Sequence, residues 1–137
     1  MILTFNCFNW YIFLISHVHF SYNLSHQVSD GGVHSHIEHL FHLLETAKAH
    51  GVPNAYIHFF GDGRDTDPRS SDKYLTQLQK NIEELGYGQI ATIVGRYYAM
   101  DRDKRWERLK LAVDALVQGI GEKTDDPLKV CSNGTGR

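Results

Sequence analysis

Three short stretches of the sequence combine glycines with charged side chains, and chemistry is expected there. They are residues 28–36 (VSDGGVHSH), 61–67 (GDGRDTD) and 95–103 (GRYYAMDRD). Their donor side chains are His34, Arg64, Arg96 and Arg102, and Arg105 follows the third stretch by two residues. A guanidinium binds planar or tetrahedral oxyanions through paired, charge-assisted hydrogen bonds. If these side chains meet, they predict a site for a small, multiply anionic ligand such as a phosphorylated carboxylate.

The same stretches also contain acidic residues, namely Asp30, Asp62, Asp65 and Asp101. Asp65 directly follows Arg64, and a carboxylate among arginines stays ionised. Asp65 is therefore the candidate catalytic residue, because it could accept a proton from a substrate hydroxyl within hydrogen-bond reach. The alternative is a surface network in which the arginines pair with neighbouring aspartates and have a structural role only.

The segments between these stretches have the patterns of strands and helices. Residues 55–60 (AYIHFF) and 89–94 (QIATIV) are apolar runs typical of strands. Apolar residues recur at helical spacing over residues 35–50 and 74–85, with Ser35 as the predicted N-cap and Gly51 as the predicted stop of the first helix. A third helix is predicted to bury one face, formed by Trp106, Leu109, Val113, Leu116 and Val117.

The order of these segments predicts the fold class. Strands alternate with helices, so we expect a single α/β domain with βα repeats, right-handed crossovers and a mostly parallel sheet. In such a sheet every strand-to-helix loop emerges at the same carboxyl edge, where open α/β sheets bind ligands. The three charged stretches are therefore expected to converge in one crevice.

The beginning of the chain has a composition of its own. Residues 1–15 are apolar and aromatic, but this run is too short to span a membrane and lacks the basic segment of a signal peptide. Residues 17–24 then alternate, which predicts a half-buried strand with one side formed by Val18, Phe20, Tyr22 and Leu24.

Composition excludes several classes of function. The 137 residues suit one domain, and an apolar share of 42% suffices for a core. A net charge of −2 argues against nucleic acid or an acidic membrane as a partner. The two cysteines, Cys7 and Cys131, have no motif spacing. They predict neither a disulfide framework nor a zinc site, and they favour a reducing, cytoplasmic location.

The histidine-rich run at residues 34–42 (HSHIEHLFH) is not predicted to bind a metal ion. On a helix, His39 and His42 share the polar face with Glu38 and are expected to face solvent. His34 precedes the helix and is expected to point towards the crevice. No metal-ligand set is therefore predicted in this chain.

Three long motifs carry a resemblance to a known family. SDGGVHSHIEHLF, YIHFFGDGRDTDPRS and ATIVGRYYAMDRDKRWER closely resemble the phosphotransferase domain of cofactor-independent (2,3-bisphosphoglycerate-independent) phosphoglycerate mutase. The similarity runs over residues 28–129. The resemblance implies an isomerase, usually monomeric, that interconverts 3-phosphoglycerate and 2-phosphoglycerate in glycolysis and gluconeogenesis.

The resemblance also implies roles for single residues. Five positions match the family's substrate-binding residues, namely His34, Arg64, Asp65, Arg96 and Arg102. Asp65 would be the carboxylate that exchanges a proton with the substrate hydroxyls. The resemblance further implies a phosphatase-like partner domain with a transiently phosphorylated serine and two Mn²⁺ or Mg²⁺ ions. That domain has no counterpart in this sequence, so we expect no cofactor in this chain and no activity from the chain alone.

The chain departs from the family pattern at both ends. The predicted organisation is a leader unlike the family (1–27), an incomplete phosphotransferase domain (28–129) and a tail (130–137). A truncated or mis-spliced product, or an incorrect gene model with a non-native leader, would explain these departures. The interpretation is a fragment of a phosphoglycerate mutase that retains part of the substrate site. Two alternatives stay open: a non-catalytic phosphoglycerate-binding module and a non-functional product.

Overall fold

A computed structural model of the chain describes residues 21–128. Three strands form one sheet in the order β1–β2–β3: β1 (Ser21–Val28), β2 (Asn54–Gly61) and β3 (Gln89–Gly95). The helices are α1 (Ile37–Ala49), α2 (Ser71–Leu85), α3 (Arg96–Ala99) and α4 (Trp106–Val113). A π-helical turn, Asp114–Gln118, continues α4.

The sheet is parallel throughout its described length. β1 pairs with β2 from Ser21 opposite Asn54 to Val28 opposite Gly61, and β2 pairs with β3 in the same direction. The connections from β1 to β2 and from β2 to β3 contain α1 and α2 respectively. The predicted α/β class with a parallel sheet and βα repeats is therefore confirmed.

The core lies between one face of the sheet and the helices α1 and α2. Alternate residues of β2 are buried, and the neighbouring residues on the other face are partly exposed. The buried apolar cluster consists of Val28, Ile37, Leu40, Leu44, Ala55, Ile57, Phe59, Tyr74, Leu75 and Leu78. Residues of both helices belong to this one cluster, so both helices cover the same face of the sheet.

The first strand lies further along the chain than its alternating pattern predicted. Tyr22 and Leu24 are partly buried between exposed neighbours, as expected, but β1 continues past Leu24 to Val28. Residues 17–20 of the predicted strand lie outside the described residues. The end of β1 is polar in sequence, yet Gln27 is buried, and its carbonyl accepts a hydrogen bond from Ser35 Oγ at 2.8 Å.

The predicted cap of the first helix is wrong. His36 is the N-cap, and its Nδ1 accepts a hydrogen bond from the N–H of Glu38 at 3.2 Å. Ser35 does not cap the helix because its hydroxyl is directed to the end of β1 instead. At the other end, the helix finishes at Ala49 and Gly51 has a φ of +68°, which confirms the predicted stop.

The third predicted helix differs from its prediction in burial. Trp106 is 70% exposed, and Val113 and Val117 are also exposed, whereas Ala112 is buried. Regular helical geometry ends at Val113 and a π-helical turn follows. Trp106 and Val113 both lie before this turn, so they share a helical face as predicted, but that face is exposed. The stretch 95–103 also contains a helical turn, α3, which the sequence predicted as a loop.

None of the helices in residues 21–128 is long and apolar enough to cross a membrane.

Candidate functional site

The three arginines singled out in the sequence line one cavity. It has a volume of about 450 Å³, and Arg64, Arg96 and Arg102 contribute to its wall. Arg64 follows β2, and the other two follow β3. His34, from the loop after β1, lies beside this cavity with its Nε2 3.5 Å from Nη2 of Arg96. The loops after all three strands therefore meet at the carboxyl edge of the sheet, as the topology predicted.

Arg96 is held by two carboxylates. Its Nη1 donates to Asp65 Oδ2 at 2.6 Å and to Asp62 Oδ1 at 3.1 Å, and its side chain is only 17% exposed. Burial lowers the pKa of Arg96, but the hydrogen bonds to Asp65 and Asp62 outweigh this effect and raise the pKa. The network of arginines and aspartates that was the structural alternative therefore forms at Arg96.

Arg64 and Arg102 have different surroundings from Arg96. Both residues are exposed, and neither guanidinium has an ion pair within residues 21–128. Their charges face the cavity without an acidic partner from the described part of the chain. These two side chains are thus available to bind an anion, whereas Arg96 is held in a fixed position by its two carboxylate partners.

Asp62 is the most constrained carboxylate of the site. Burial raises the pKa of Asp62, but the hydrogen bond from Ser29 and those from the backbone N–H groups of Arg64, Asp65 and Gly63 outweigh burial. The pKa of Asp62 is therefore well below its ordinary value, and the side chain is a permanent anion at neutral pH.

Asp65, the candidate catalytic residue, keeps one oxygen available. Its Oδ2 accepts a hydrogen bond from Arg96 and a longer one, at 3.5 Å, from Gln27 Nε2. Among the described residues, nothing donates to Oδ1. Asp65 does not itself line the cavity, but it is paired with Arg96, which does. Its Oδ2 fixes its orientation, and Oδ1 would be the oxygen to accept a proton or a hydrogen bond from a ligand that reached it.

The loop that carries His34 is attached to α2. Asp30 accepts hydrogen bonds from the hydroxyl of Tyr74 and from Lys73 Nζ, the latter at 3.2 Å. The hydrogen bond from Tyr74, followed by that from Lys73, lowers the pKa of Asp30. Asp30 therefore anchors the loop and does not line the cavity, contrary to its predicted place among the acids of the crevice.

The sequence analysis missed Arg108, which also lines the cavity. Its Nη1 lies 3.3 Å from Asp101 Oδ1, and its guanidinium stacks 4.0 Å above the ring centre of Tyr97. Arg108 falls inside the predicted third helix, so its connection to the preceding loop has no sequence signal beyond helical spacing from Arg105. Arg105 itself pairs with Glu107 at 3.4 Å and does not contribute to the cavity wall.

The described histidines do not form a metal site with neighbouring acids. His39 and His42 are exposed, as predicted, and His42 lies 3.1 Å from Glu45. Within residues 21–128 no group of three or more His, Cys, Asp or Glu side chains could hold a metal ion. The side chains of these residues therefore do not provide the ligands for two metal ions, which the family resemblance implies for another domain.

A second cavity lies at the opposite edge of the sheet. Its volume is about 420 Å³, and its wall includes Asn54, Tyr56, Tyr87 and Gln89. No lining residue of this cavity is charged. It therefore lacks the groups that would bind a multiply charged anion.

A sequence model of the family described as BPG-independent PGAM N-terminus matches residues 16–135. Among curated relatives, the 2,3-bisphosphoglycerate-independent phosphoglycerate mutase of Onchocerca volvulus is 64% identical over 97 residues, covering 71% of this chain and 19% of the relative. The protein of the same name from Listeria welshimeri is 61% identical over 103 residues, covering 75% of this chain and 20% of the relative.

A solved structure shares the fold. The crystal structure of Leishmania mexicana phosphoglycerate mutase at low cobalt concentration matches with a TM-score of 0.77 and 26% identity. The match covers 82% of this chain and 22% of that chain. The chain thus spans about a fifth of the length of the relatives it matches.

Proposed function

The chain belongs to the family described as BPG-independent PGAM N-terminus, and we propose that the cavity between the ends of β2 and β3 binds 2- or 3-phosphoglycerate. The observation that carries this proposal is the presence of Arg64, Arg96 and Arg102 in the wall of one cavity. A phosphate and a carboxylate on one small molecule match several guanidiniums within a short distance of each other.

The proposed roles follow from the contacts of each side chain. Arg64 and Arg102 have no acidic partner within residues 21–128, so they neutralise the phosphate and carboxylate of the ligand. Arg96 and His34 lie side by side and donate hydrogen bonds to the same ligand. Asp65 accepts the proton of a ligand hydroxyl at Oδ1, the oxygen that is open in the described structure.

We propose the isomerase activity for the longer proteins of which this chain resembles a part. In them, 3-phosphoglycerate and 2-phosphoglycerate would be interconverted in the cytoplasm, as a step of glycolysis and gluconeogenesis. The partner of this domain would be a phosphatase-like domain of the same monomer, which supplies a phosphoserine and two Mn²⁺ or Mg²⁺ ions. The described residues of this chain supply ligand-binding groups and a proton acceptor to that reaction.

Calorimetric titration with 3-phosphoglycerate tests the binding site. Arg64→Ala and Arg102→Ala should each weaken binding about tenfold or more, since each removes charge-assisted hydrogen bonds worth roughly 1.5–3 kcal/mol. Arg69→Ala is the matched control because Arg69 is exposed on the same loop and does not line the cavity. Equal affinities for the wild type and both cavity variants would exclude this cavity as the site.

A mutase assay separates binding from catalysis. The purified 137-residue chain should bind phosphoglycerate without interconverting the two isomers, because its described residues do not fit the metal site on which phosphoryl transfer would depend. Turnover above background in the wild type that is lost in the Asp65→Asn variant would contradict the expectation that the chain binds phosphoglycerate without interconverting it. Absence of both binding and turnover would favour the alternative of a non-functional product.

A further inference from the structure

We propose that Asp62 is a positioning residue, which fixes Arg64, Asp65 and Arg96 relative to one another so that they meet a single ligand. This inference rests on the proposed function and gives a role to a residue that the sequence analysis placed among the acids of the crevice without a role of its own. Asp62 stands at the end of β2, where the loop that carries Arg64 and Asp65 begins.

One oxygen of Asp62 organises the loop after β2. Oδ1 accepts three successive backbone hydrogen bonds, from Gly63 at 2.8 Å, Arg64 at 3.1 Å and Asp65 at 3.1 Å. These bonds wrap the loop around the carboxylate. The backbone positions of Arg64 and Asp65, and hence the origins of their side chains, are set by this one oxygen.

The carboxylate also connects the ends of the other two strands. Nη1 of Arg96, just after β3, donates to Oδ1 of Asp62 at 3.1 Å. Ser29 Oγ, just after β1, donates to Oδ2 at 2.7 Å. Asp62 therefore joins the loops after all three strands at one point.

Asp62 is part of the cavity wall, but its carboxylate is covered by these neighbours, and we infer that it acts through them. Its side chain is 1% exposed, and both of its oxygens have donors from the protein. A buried carboxylate is stable only when it is paired and hydrogen-bonded, so any movement of Arg96 or of the loop leaves a charge unsatisfied. Loss of these hydrogen bonds would leave a buried charge unpaired, and the free-energy cost of that state keeps Arg96 and the loop in place.

Removing the charge of Asp62 distinguishes a positioning role from a purely electrostatic effect of Asp62 on the affinity for the ligand. If Asp62 were only a negative charge near an anion site, Asp62→Asn would strengthen the binding of 3-phosphoglycerate. If it positions the ligand-binding groups, the same substitution weakens binding, because a neutral amide holds Arg96 and the loop less firmly. The two explanations predict opposite signs.

The experiment is calorimetric titration of 3-phosphoglycerate into the full chain and its variants, with thermal unfolding as the check on folding. Asp62→Asn is expected to weaken binding about tenfold. Asp67→Asn is the control, because Asp67 is an exposed acid of the same loop whose carboxylate, within residues 21–128, accepts a hydrogen bond from the Arg69 N–H alone. It should bind at least as tightly as the wild type. Equal or tighter binding by Asp62→Asn would overturn the proposal.

A second variant covers the case in which Asp62→Asn does not fold. Ser29→Ala removes the hydrogen bond to Oδ2, together with the longer one, at 3.3 Å, that Ser29 Oγ accepts from the N–H of Gly31. It leaves the three backbone hydrogen bonds to Oδ1 in place, so it should weaken binding roughly threefold, a smaller loss in the same direction. Unchanged affinity in Ser29→Ala, with Asp62→Asn unfolded, would also overturn the proposal.

Hydrogen exchange supplies a measurement that needs no ligand. The amides of residues 63–65 should exchange faster in Asp62→Asn than in the wild type, whereas the amides of Leu75 and Leu78 in the core should not change. If the wild type fails to bind 3-phosphoglycerate, the proposed function fails, and hydrogen exchange still decides whether Asp62 holds the loop. Unchanged exchange at residues 63–65 would overturn the positioning role by itself.

Discussion

Asp62 and Asp65 belong to the same loop, yet their carboxylates have different surroundings. Both oxygens of Asp62 are occupied by donors from the protein, and its side chain is almost completely buried. Asp65 has one oxygen bonded to Arg96 and one to which no described residue donates. Under the proposed function, the two carboxylates would take different roles, Asp62 as a fixed anion and Asp65 as a proton acceptor.

The lowered pKa of Asp62 makes the free energy of unfolding depend on pH. Its pKa is lower in the folded chain than in the unfolded chain, so its contribution is fully present above the unfolded value and is lost as the pH falls towards the folded value. Urea unfolding at about pH 6 and about pH 3 should therefore show a larger fall in the free energy of unfolding for the wild type than for Asp62→Asn. An equal fall in both proteins would contradict the shift.

Gly31 is required because the loop after β1 approaches the loop after β2 closely. A Cβ at this position would lie 3.1 Å from both Cβ and the carbonyl oxygen of Asp65. Gly31→Ala should lower the free energy of unfolding by about 1–3 kcal/mol and displace Asp65. Gly121→Ala, where a Cβ would meet no atom within 4 Å, is the control. Equal stability of the two variants by denaturant titration would refute the close approach.

At the scale of helices and strands, α1 contains two leucines that differ in burial. Leu40 is completely buried against the sheet, and Leu43 on the same helix is 48% exposed. Leu40→Ala should cost about 2–5 kcal/mol of stability because it opens a cavity in the core, and Leu43→Ala should cost about 0.5 kcal/mol or less. Similar losses in the two variants would mean that α1 does not pack as described.

The elements with a strong periodic pattern were predictable from the sequence. β2 and α1 follow their apolar spacing, because burial of one face determines both elements. The end of β1 was not predictable, because its polar residues His26 and Gln27 give no strand pattern. The exposure of Trp106 and Val113 was missed because helical spacing shows which residues share a face and does not show whether another element covers that face.

The candidate site was predictable in its placement and not in its internal contacts. Strand order alone brings Arg64, Arg96 and Arg102 to one edge, since parallel strands end together. The pairing of Arg96 with two aspartates depends on side-chain distances that spacing does not encode. The same holds for Arg108, which reaches the cavity from a helix.

At the scale of the whole molecule, the two edges of the sheet differ in charge. The carboxyl edge combines arginines with buried carboxylates around one cavity, and the cavity at the other edge has an uncharged wall. The arginines of this wall are Arg64, Arg96, Arg102 and Arg108, and three aspartates lie among them. An anionic metabolite should discriminate between the two edges, because only the first offers donors that match its oxygens.

The most direct test is a titration of 3-phosphoglycerate into the ¹⁵N-labelled chain, followed through its backbone amide resonances. We expect shifts in residues 61–67 and 95–103 and at His34, the groups around the cavity at the carboxyl edge. These shifts should be absent in Arg64→Ala at the same ligand concentration. Shifts confined to residues 53–56 and 86–89 at the opposite edge, or no shifts at all, would contradict a phosphoglycerate site built by these arginines.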